Sequence, residues 1–436
     1  MLRAGFARLD ITPPLGIYLQ GYYSERKAEG ILDPLLVSAV AFSDGIKTAV
    51  AISLDLIGID QKTCDECRKI IAQRNNIPYE SMIIACTHTH LGPVVYDNLY
   101  PKDPVYNEIL FRRISDAVAL ALADLQPAVV SIGRNTVKNV SFIRRYLMKD
   151  GTIRTNPGRR NPEIDHPVGL PDESVQLVKI SRKDAPEILI VNFQVHPDVI
   201  SGSLMSADYP KFIRDTLERA LDNVRCIYFN GAQGDTNHIQ VNAPEWDVNG
   251  GYEHAKHMGR SIAGAVLQIY GKTEVIPGER VGFRQMNIQV PSSRVPADMV
   301  SKAEQIIALH EAGRDCELPE SGMGIVTMVA EAYRMKELEN GPDFFELYLS
   351  AVCFGDVAIT GAPGEPFTEI GRSVKASSSF AMTLYCCCAN GCEAYYPTYD
   401  AFAEGGYEAR SSKFKAGVAE HIIEGGKALL DQLKQD

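Results

Sequence analysis

Two imidazoles two residues apart give the chain its strongest chemical signal, in the stretch Ala85-Cys86-Thr87-His88-Thr89-His90-Leu91-Gly92-Pro93. They follow the apolar run Met82-Ile83-Ile84-Ala85-Cys86, and Gly92-Pro93 breaks the chain just after them. A strand here sends His88 and His90 to the same face, because strand side chains alternate with a period of two. Neutral imidazole nitrogens so placed suit zinc, with a carboxylate or water completing a tetrahedron. The spacing alone reads equally as a structural or surface pair, so the remaining ligands must come from elsewhere in the chain.

The run Ile188-Leu189-Ile190-Val191-Asn192-Phe193-Gln194-Val195 reads as a buried strand that delivers His196-Pro197, repeating the device of apolar strand, histidine and chain break. Thr360-Gly361-Ala362-Pro363-Gly364-Glu365-Pro366 ends a strand read over 347–359 and holds Glu365 on a stiff backbone. Asp55 interrupts the apolar residues 49–57, where a carboxylate is expensive to bury unpaired. It is either a strand-end Asp bonded to nearby backbone or a partner that orients a metal-bound histidine. Residues 140–155 gather Arg144, Arg145, Lys149 and Arg154 around Tyr146. The bland reading is a solvated face; the chemical one is an arginine fork for a carboxylate or a developing oxyanion. The small-residue loop Asn230-Gly231-Ala232-Gln233-Gly234-Asp235-Thr236-Asn237 lets backbone approach a ligand. It lacks the ending of a phosphate loop. His254 and His257, one turn apart on a helix read over 252–270, are surface or capping residues in this reading.

The elements that must position these groups alternate. Strands at 35–42 and 48–57 precede a helix at 60–74 and then the His88 strand, a β-α-β order that predicts a layered α/β fold. We expect a mixed β-sheet core flanked by helices, with ligands delivered from strand ends. Helices at 106–125, 211–221, 297–312, 329–338 and 413–433, and strands at 128–132, 226–229 and 281–290, continue the pattern. Residues 156–172 read as a long loop. The whole of 1–436 reads as one catalytic domain, with a cap layer inserted at about 274–345.

A chain of 436 residues, 45% hydrophobic and 23% charged, buries a large core. Its net charge of -11 opposes nucleic acid and anionic membranes. The expected partner is a small-molecule substrate; nothing visible encodes an oligomeric state. No stretch approaches the roughly 18 apolar residues of a membrane span, and the N-terminal residues lack a signal-peptide pattern. The ten cysteines include Cys386-Cys387-Cys388 in an apolar, strand-like segment, which reads as buried thiols of a reducing cytoplasm. Cys64 and Cys67 form a C-x-x-C without the second pair that a zinc ribbon needs.

Taken in order, these motifs resemble the N-terminal catalytic domain of the neutral/alkaline (non-lysosomal) ceramidase family, zinc-dependent amidases. Asp10-Ile11-Thr12-Pro13-Pro14, Leu32-Asp33-Pro34-Leu35 and Ser53-Leu54-Asp55 look like its opening segments, and Thr87 through Pro93 is close to its T-H-T-H-S-G-P. Phe193-Gln194-Val195-His196-Pro197, Pro363-Gly364-Glu365 and the stretch from Tyr395 to Tyr407 look like its later histidine, P-G-E and tyrosine-rich segments. The resemblance implies zinc held by His88, His196, Glu365 and Tyr395, with Tyr396 the adjacent alternative. It implies His90 as a proton relay, and Arg144 and Tyr407 as oxyanion donors, typically worth about 3 kcal/mol each. Asp55 or Asp235 would orient the ligand histidines. Where the family has G-D-V-S-P this chain has Gly234-Asp235-Thr236-Asn237-His238, which puts Asn237 in the place of the serine beside the attacking water.

We therefore expect a cytoplasmic zinc-dependent hydrolase that cleaves an amide or ester of a small soluble substrate. The family's extra C-terminal β-domain and secretion signal find no counterpart in the sequence, which sets that reading ahead of a true ceramidase acting on N-acyl sphingoid lipids. Asn237 keeps open a third reading, a non-catalytic zinc or ligand-binding protein on the same scaffold.

Overall fold

In a computed structural model describing all 436 residues, the apolar strands form two sheets packed face to face. The larger has nine strands. Val224–Asn230, Glu187–Phe193, Ser174–Arg182, Gln126–Thr136, Arg3–Asp10, Leu36–Ser43, Thr48–Leu54 and Met82–Cys86 are neighbours in that order, with Glu274–Val275 beside Gln126–Thr136. Pairing is parallel at the two ends of this sheet and antiparallel between them. The smaller sheet runs Val281–Pro291, Phe344–Phe354, Val357–Gly361, Met382–Cys386.

Strand Leu36–Ser43 shows why so many strands read as continuous apolar runs. Val37, Ala39 and Ala41 face a core shared with helices, while Val40 and Phe42 face the core between the sheets. A period of two with both faces covered leaves no polar side. Phe42 stacks on Phe354 across the layers, ring centres 3.7 Å apart. Helices Gln61–Asn75 and Pro104–Ala123 cover one half of the large sheet, Tyr209–Ala220 and Gly251–Tyr270 the other half, and Thr368–Ser377 and Val418–Gln435 the small sheet. The result is a helix-sheet-sheet-helix sandwich, a layered mixed α/β fold.

Three details differ from the sequence reading. The strand read over 347–359 is a hairpin, turned at Gly355 in the left-handed region. Of residues 274–345, Val281–Pro291 is a strand of the small sheet, and the part outside the layers is a hairpin of helices Ala297–Glu311 and Met323–Glu337 around Ala303, Ala332 and Met335. The 156–172 loop contains a short strand, Ile164–Pro167, paired with Arg145–Met148. All ten cysteines are free, and no helix is long and apolar enough to cross a membrane.

Met82–Cys86, which leads to His88, lies at the end of the large sheet, so one row of its backbone groups needs partners from outside the sheet. Asn390, fully buried, supplies them. Its Oδ1 accepts from Ile84 N at 2.8 Å, its Nδ2 donates to Met82 O at 3.1 Å, and its own N donates to Ile84 O at 2.7 Å. Asn390 has φ +57, a conformation that Asn tolerates better than most residues. Asn390→Ala leaves two buried backbone groups unpaired at about 1–3 kcal/mol each. We expect the urea midpoint to fall by the equivalent of about 2–6 kcal/mol at unchanged slope; an unchanged midpoint would show that the edge needs no such partner.

Candidate metal and catalytic site

The strand ends at Cys86, and His88 itself adopts φ +75. The expected period of two therefore does not run through the histidine pair. A left-handed turn brings the rings together instead, centres 5.2 Å apart. That conformation costs an L-residue about 1–2 kcal/mol. Backbone bonds hold it in place, from Thr87 N to Leu54 O at 2.8 Å and from His88 N to Leu56 O at 2.9 Å.

The His88 ring is oriented by backbone. Its Nδ1 lies 2.7 Å from the Ile57 carbonyl oxygen. A carbonyl only accepts, so Nδ1 carries a hydrogen and Nε2 of the neutral ring presents a lone pair. Nε2 faces Glu365 Oε2 at 3.2 Å, and His196 Nε2 lies 3.7 Å from the same oxygen. Ligand atoms of His88, His90 and His196 all lie within 4.8 Å of one another. Glu365 Oε2, both His90 ring nitrogens and His196 Nδ1 are buried without a hydrogen-bond partner. So many unpaired polar atoms in one place call for an explanation such as an ion.

Protonation fits that explanation. Burial, and then His88, holds His90 well below the ordinary imidazole range; burial, and then Arg144, does the same to His196. Burial pushes the Glu365 carboxyl up, but His88 and Arg144 outweigh it and leave it below its ordinary value. Neutral imidazoles and an ionised carboxylate are the forms that bind a metal. Glu365 reaches this place through a tight turn. A Cβ on Gly364 would come within 2.5 Å of Ala394 O, so only glycine fits there.

Tyr395 pairs in register with Glu365 and lines the cavity, whereas Tyr396 is fully buried with its hydroxyl donating to Pro363 O at 2.7 Å. Of the two tyrosines, Tyr395 faces the site. Its ring lies 5.6 Å from that of Tyr407, and the Arg144 guanidinium sits 5.3 and 5.9 Å from the two ring centres. Burial pushes both phenols well above their ordinary value. Arg144 is itself held by Glu408 Oε1, 2.6 Å from its Nε, and by Gly234 O, 2.8 Å from one terminal nitrogen. The fully buried Glu408 also accepts from Thr155 Oγ1 at 2.8 Å. Nothing in the sequence singled out Glu408; its place directly after Tyr407 was the available signal. Cys388, read only as one of a run of buried thiols, has its sulfur 3.5 Å from His88 Nδ1.

Other expected site residues lie elsewhere. Asp55 orients no histidine: Arg214 grips its carboxylate at 2.9 and 2.6 Å, and Leu36 N and Thr87 Oγ1 bond to it at 3.1 and 3.3 Å. It fixes the backbone before His88. Asp235 accepts from the N and Oγ1 of Thr368, both at 2.7 Å, and meets no histidine either. Asn237 donates to Asn156 Oδ1 at 2.6 Å and accepts from Ile239 N at 3.0 Å, which commits both ends of its amide away from a substrate.

A cavity of about 680 Å³ opens over this group. His88, His90, Glu365, Tyr395 and Tyr407 line it together with five further tyrosines, Tyr22, Tyr23, Tyr96, Tyr100 and Tyr333. Solved structures share this architecture. Neutral ceramidase from Pseudomonas aeruginosa superposes with TM-score 0.75 and 17% identity over 99% of this chain and 75% of that one. The chain has a ceramidase fold. A ceramidase complexed with C2 matches 100% of this chain and 75% of that one, with TM-score 0.74 and 17% identity. No family model and no curated protein matches the chain. The likeness first read from the motifs thus holds in the fold, over the chain's whole length.

His238, beside Asn237, is buried with Nδ1 unpartnered, and burial pushes it down to about 4. An unfolded histidine takes up its proton near about 6.5. Between those values the unfolded chain binds the extra proton, so stability falls as pH falls, at up to about 1.4 kcal/mol per pH unit. His238→Gln should flatten urea-measured stability between about pH 6.5 and 4 relative to the parent. Identical pH profiles would mean that His238 takes up its proton as readily in the folded as in the unfolded chain.

Proposed function

We propose that the chain is a metal-dependent amide hydrolase of ceramidase type, with zinc the metal its donors suit. The observation that carries this reading is the approach of His88 Nε2 to Glu365 Oε2 at 3.2 Å while His88 Nδ1 donates to Ile57 O. Two lone pairs so close repel unless a cation lies against both or the ring takes up a proton. His88, His196, Glu365 and Tyr395 would hold the ion. Zinc on such a set supplies a Lewis acid and a water that ionises near neutral pH.

The chain's own groups would do the rest. His90 lines the cavity beside the proposed ligands and takes the proton released as the carbonyl is attacked. Arg144, whose Nε and one terminal nitrogen are committed to Glu408 and Gly234, would steady the oxyanion together with the Tyr407 hydroxyl. The ceramidase fold favours an N-acyl lipid amide over the small soluble substrate expected from the sequence. The cavity supports a substrate with apolar and polar parts: Ile57, Leu99 and tyrosine rings share its lining with Asp60, Glu337, Glu393, Lys336 and Lys413.

Elemental analysis of the purified protein should find about one zinc per chain, and His88→Ala and Glu365→Ala should each lower it at least about 10-fold. The same preparation should release fatty acid from N-acyl sphingoid amides faster than from small N-acyl amino acids. Metal-free wild type, or full metal in both variants, would overturn the ligand set. Bound zinc without turnover of any amide or ester would instead support a ligand-binding protein.

A further inference from the structure

The ring of His88 is fixed by a backbone carbonyl, but neither nitrogen of His90 has a hydrogen-bond partner. A histidine that handles protons needs one nitrogen protonated and the other bare, and the group facing it decides which. Beside His90 stands Asp198, with Oδ1 3.8 Å from Nδ1. The two segments are tied by backbone, since His90 N donates to Pro197 O at 3.3 Å. Tyr22 donates its hydroxyl to the same carboxylate and packs its ring near His90, centres 5.6 Å apart. Arg26 lies 4.0 Å over the Tyr22 ring and donates to His90 O at 2.8 Å. Carboxylate, phenol and imidazole are thus held as one unit.

We propose that Asp198 is a positioning residue that accepts the Nδ1 hydrogen of His90, orients the ring and leaves Nε2 bare. The proposal rests on the hydrolase reading for its catalytic consequence, not for its geometry. At 3.8 Å the contact is longer than a hydrogen bond, and catalytic contacts of this kind tighten when substrate arrives. Tyr22 holds Oδ1, the same oxygen that faces His90 Nδ1, so the acceptor stays in place and the imidazole ring turns onto it. The sequence contained the clue: Asp198 follows His196-Pro197, an acidic residue placed directly after a histidine-bearing chain break.

Nitrogen-15 spectra of the purified, metal-loaded protein, with His90 signals assigned by difference from His90→Gln, report the tautomer. The wild type should show one tautomer with the hydrogen on Nδ1, and Asp198→Ala a mixture. For an N-acyl sphingoid amide, Asp198→Ala should lower kcat about 10–100-fold while KM and bound metal stay within about 2-fold, and Asp198→Glu should recover part of the loss. An unchanged His90 tautomer or an unchanged kcat in Asp198→Ala overturns the proposal. If Asp198→Ala does not fold, Asp198→Asn is read by the same two measurements. If no substrate turns over even in the wild type, the hydrolase reading fails and the tautomer comparison alone decides the role of Asp198.

Discussion

The edge of strand Met82–Cys86 cannot be left bare in a buried place, and its satisfaction by Asn390 sets the rest of the site. Asn390 belongs to the turn after Met382–Cys386 of the small sheet, so bonding it to the large sheet locks the two sheets in one register. The same turn bonds to the Ala362-Pro363-Gly364 corner: Cys388 N donates to Gly364 O at 2.8 Å, Ala389 N to Ala362 O at 3.0 Å and Glu393 N to Pro363 O at 2.9 Å. Glu365 therefore stands opposite His88 because one amide side chain joins their two sheets. A shift of either sheet past the other would break buried backbone bonds on both, each costing about 1–3 kcal/mol.

Around that junction two pairs of opposite charge are buried together. Asp55 and Arg214, with side chains 1% and 4% exposed, neutralise each other beneath the His88 turn. Arg144 and Glu408, 7% and 0% exposed, do so beneath Tyr395 and Tyr407. A buried pair adds little net stability over an apolar one, but removing one member is severe because the other is then stranded. These pairs act less as glue than as fixed pegs. They hold the His88 backbone and the Arg144 fork while the site itself keeps unpaired atoms for a ligand.

The sheet-forming runs and most helices were legible because burial on two faces or on one helical stripe writes a period into the sequence. His88, His196 and Glu365 were legible as types and Tyr395 only through the family resemblance, and the structure brings the four together. The departures have local causes. His88 takes a left-handed turn that no periodicity can reveal, since the energy that permits it lies in bonds to Leu54 and Leu56 from another strand. The Gly355 turn did have a signal, Gly355-Asp356 between two apolar runs, a two-residue hairpin signal that the single-strand reading passed over. Asp55 was correctly suspected of needing a partner, but Arg214 is 159 residues away, on helix Tyr209–Ala220, and no local pattern links the two. Glu408 and Asp198 are single carboxylates whose meaning depends wholly on what they touch.

The helical hairpin outside the layers makes a different kind of contact with the site. Tyr333 stacks on Tyr23 with ring centres 5.8 Å apart and planes 11° from parallel, and His310 Nε2 lies 3.1 Å from the Tyr23 carbonyl. Glu331 receives Arg410 at 2.9 and 2.5 Å, and Arg410 is one helical turn past Tyr407. The hairpin thus borders both the cavity wall and the short helix that begins at Tyr407. Its own core is three buried residues, and partly exposed ion pairs of this kind contribute about 0–1 kcal/mol each. The side that carries His88 and Glu365, by contrast, is built on backbone bonds between buried strands. Free energy for local opening follows that difference. The tyrosine contacts on the hairpin side are thus the weaker part of the cavity wall, separate from the bonds that hold His88 and Glu365.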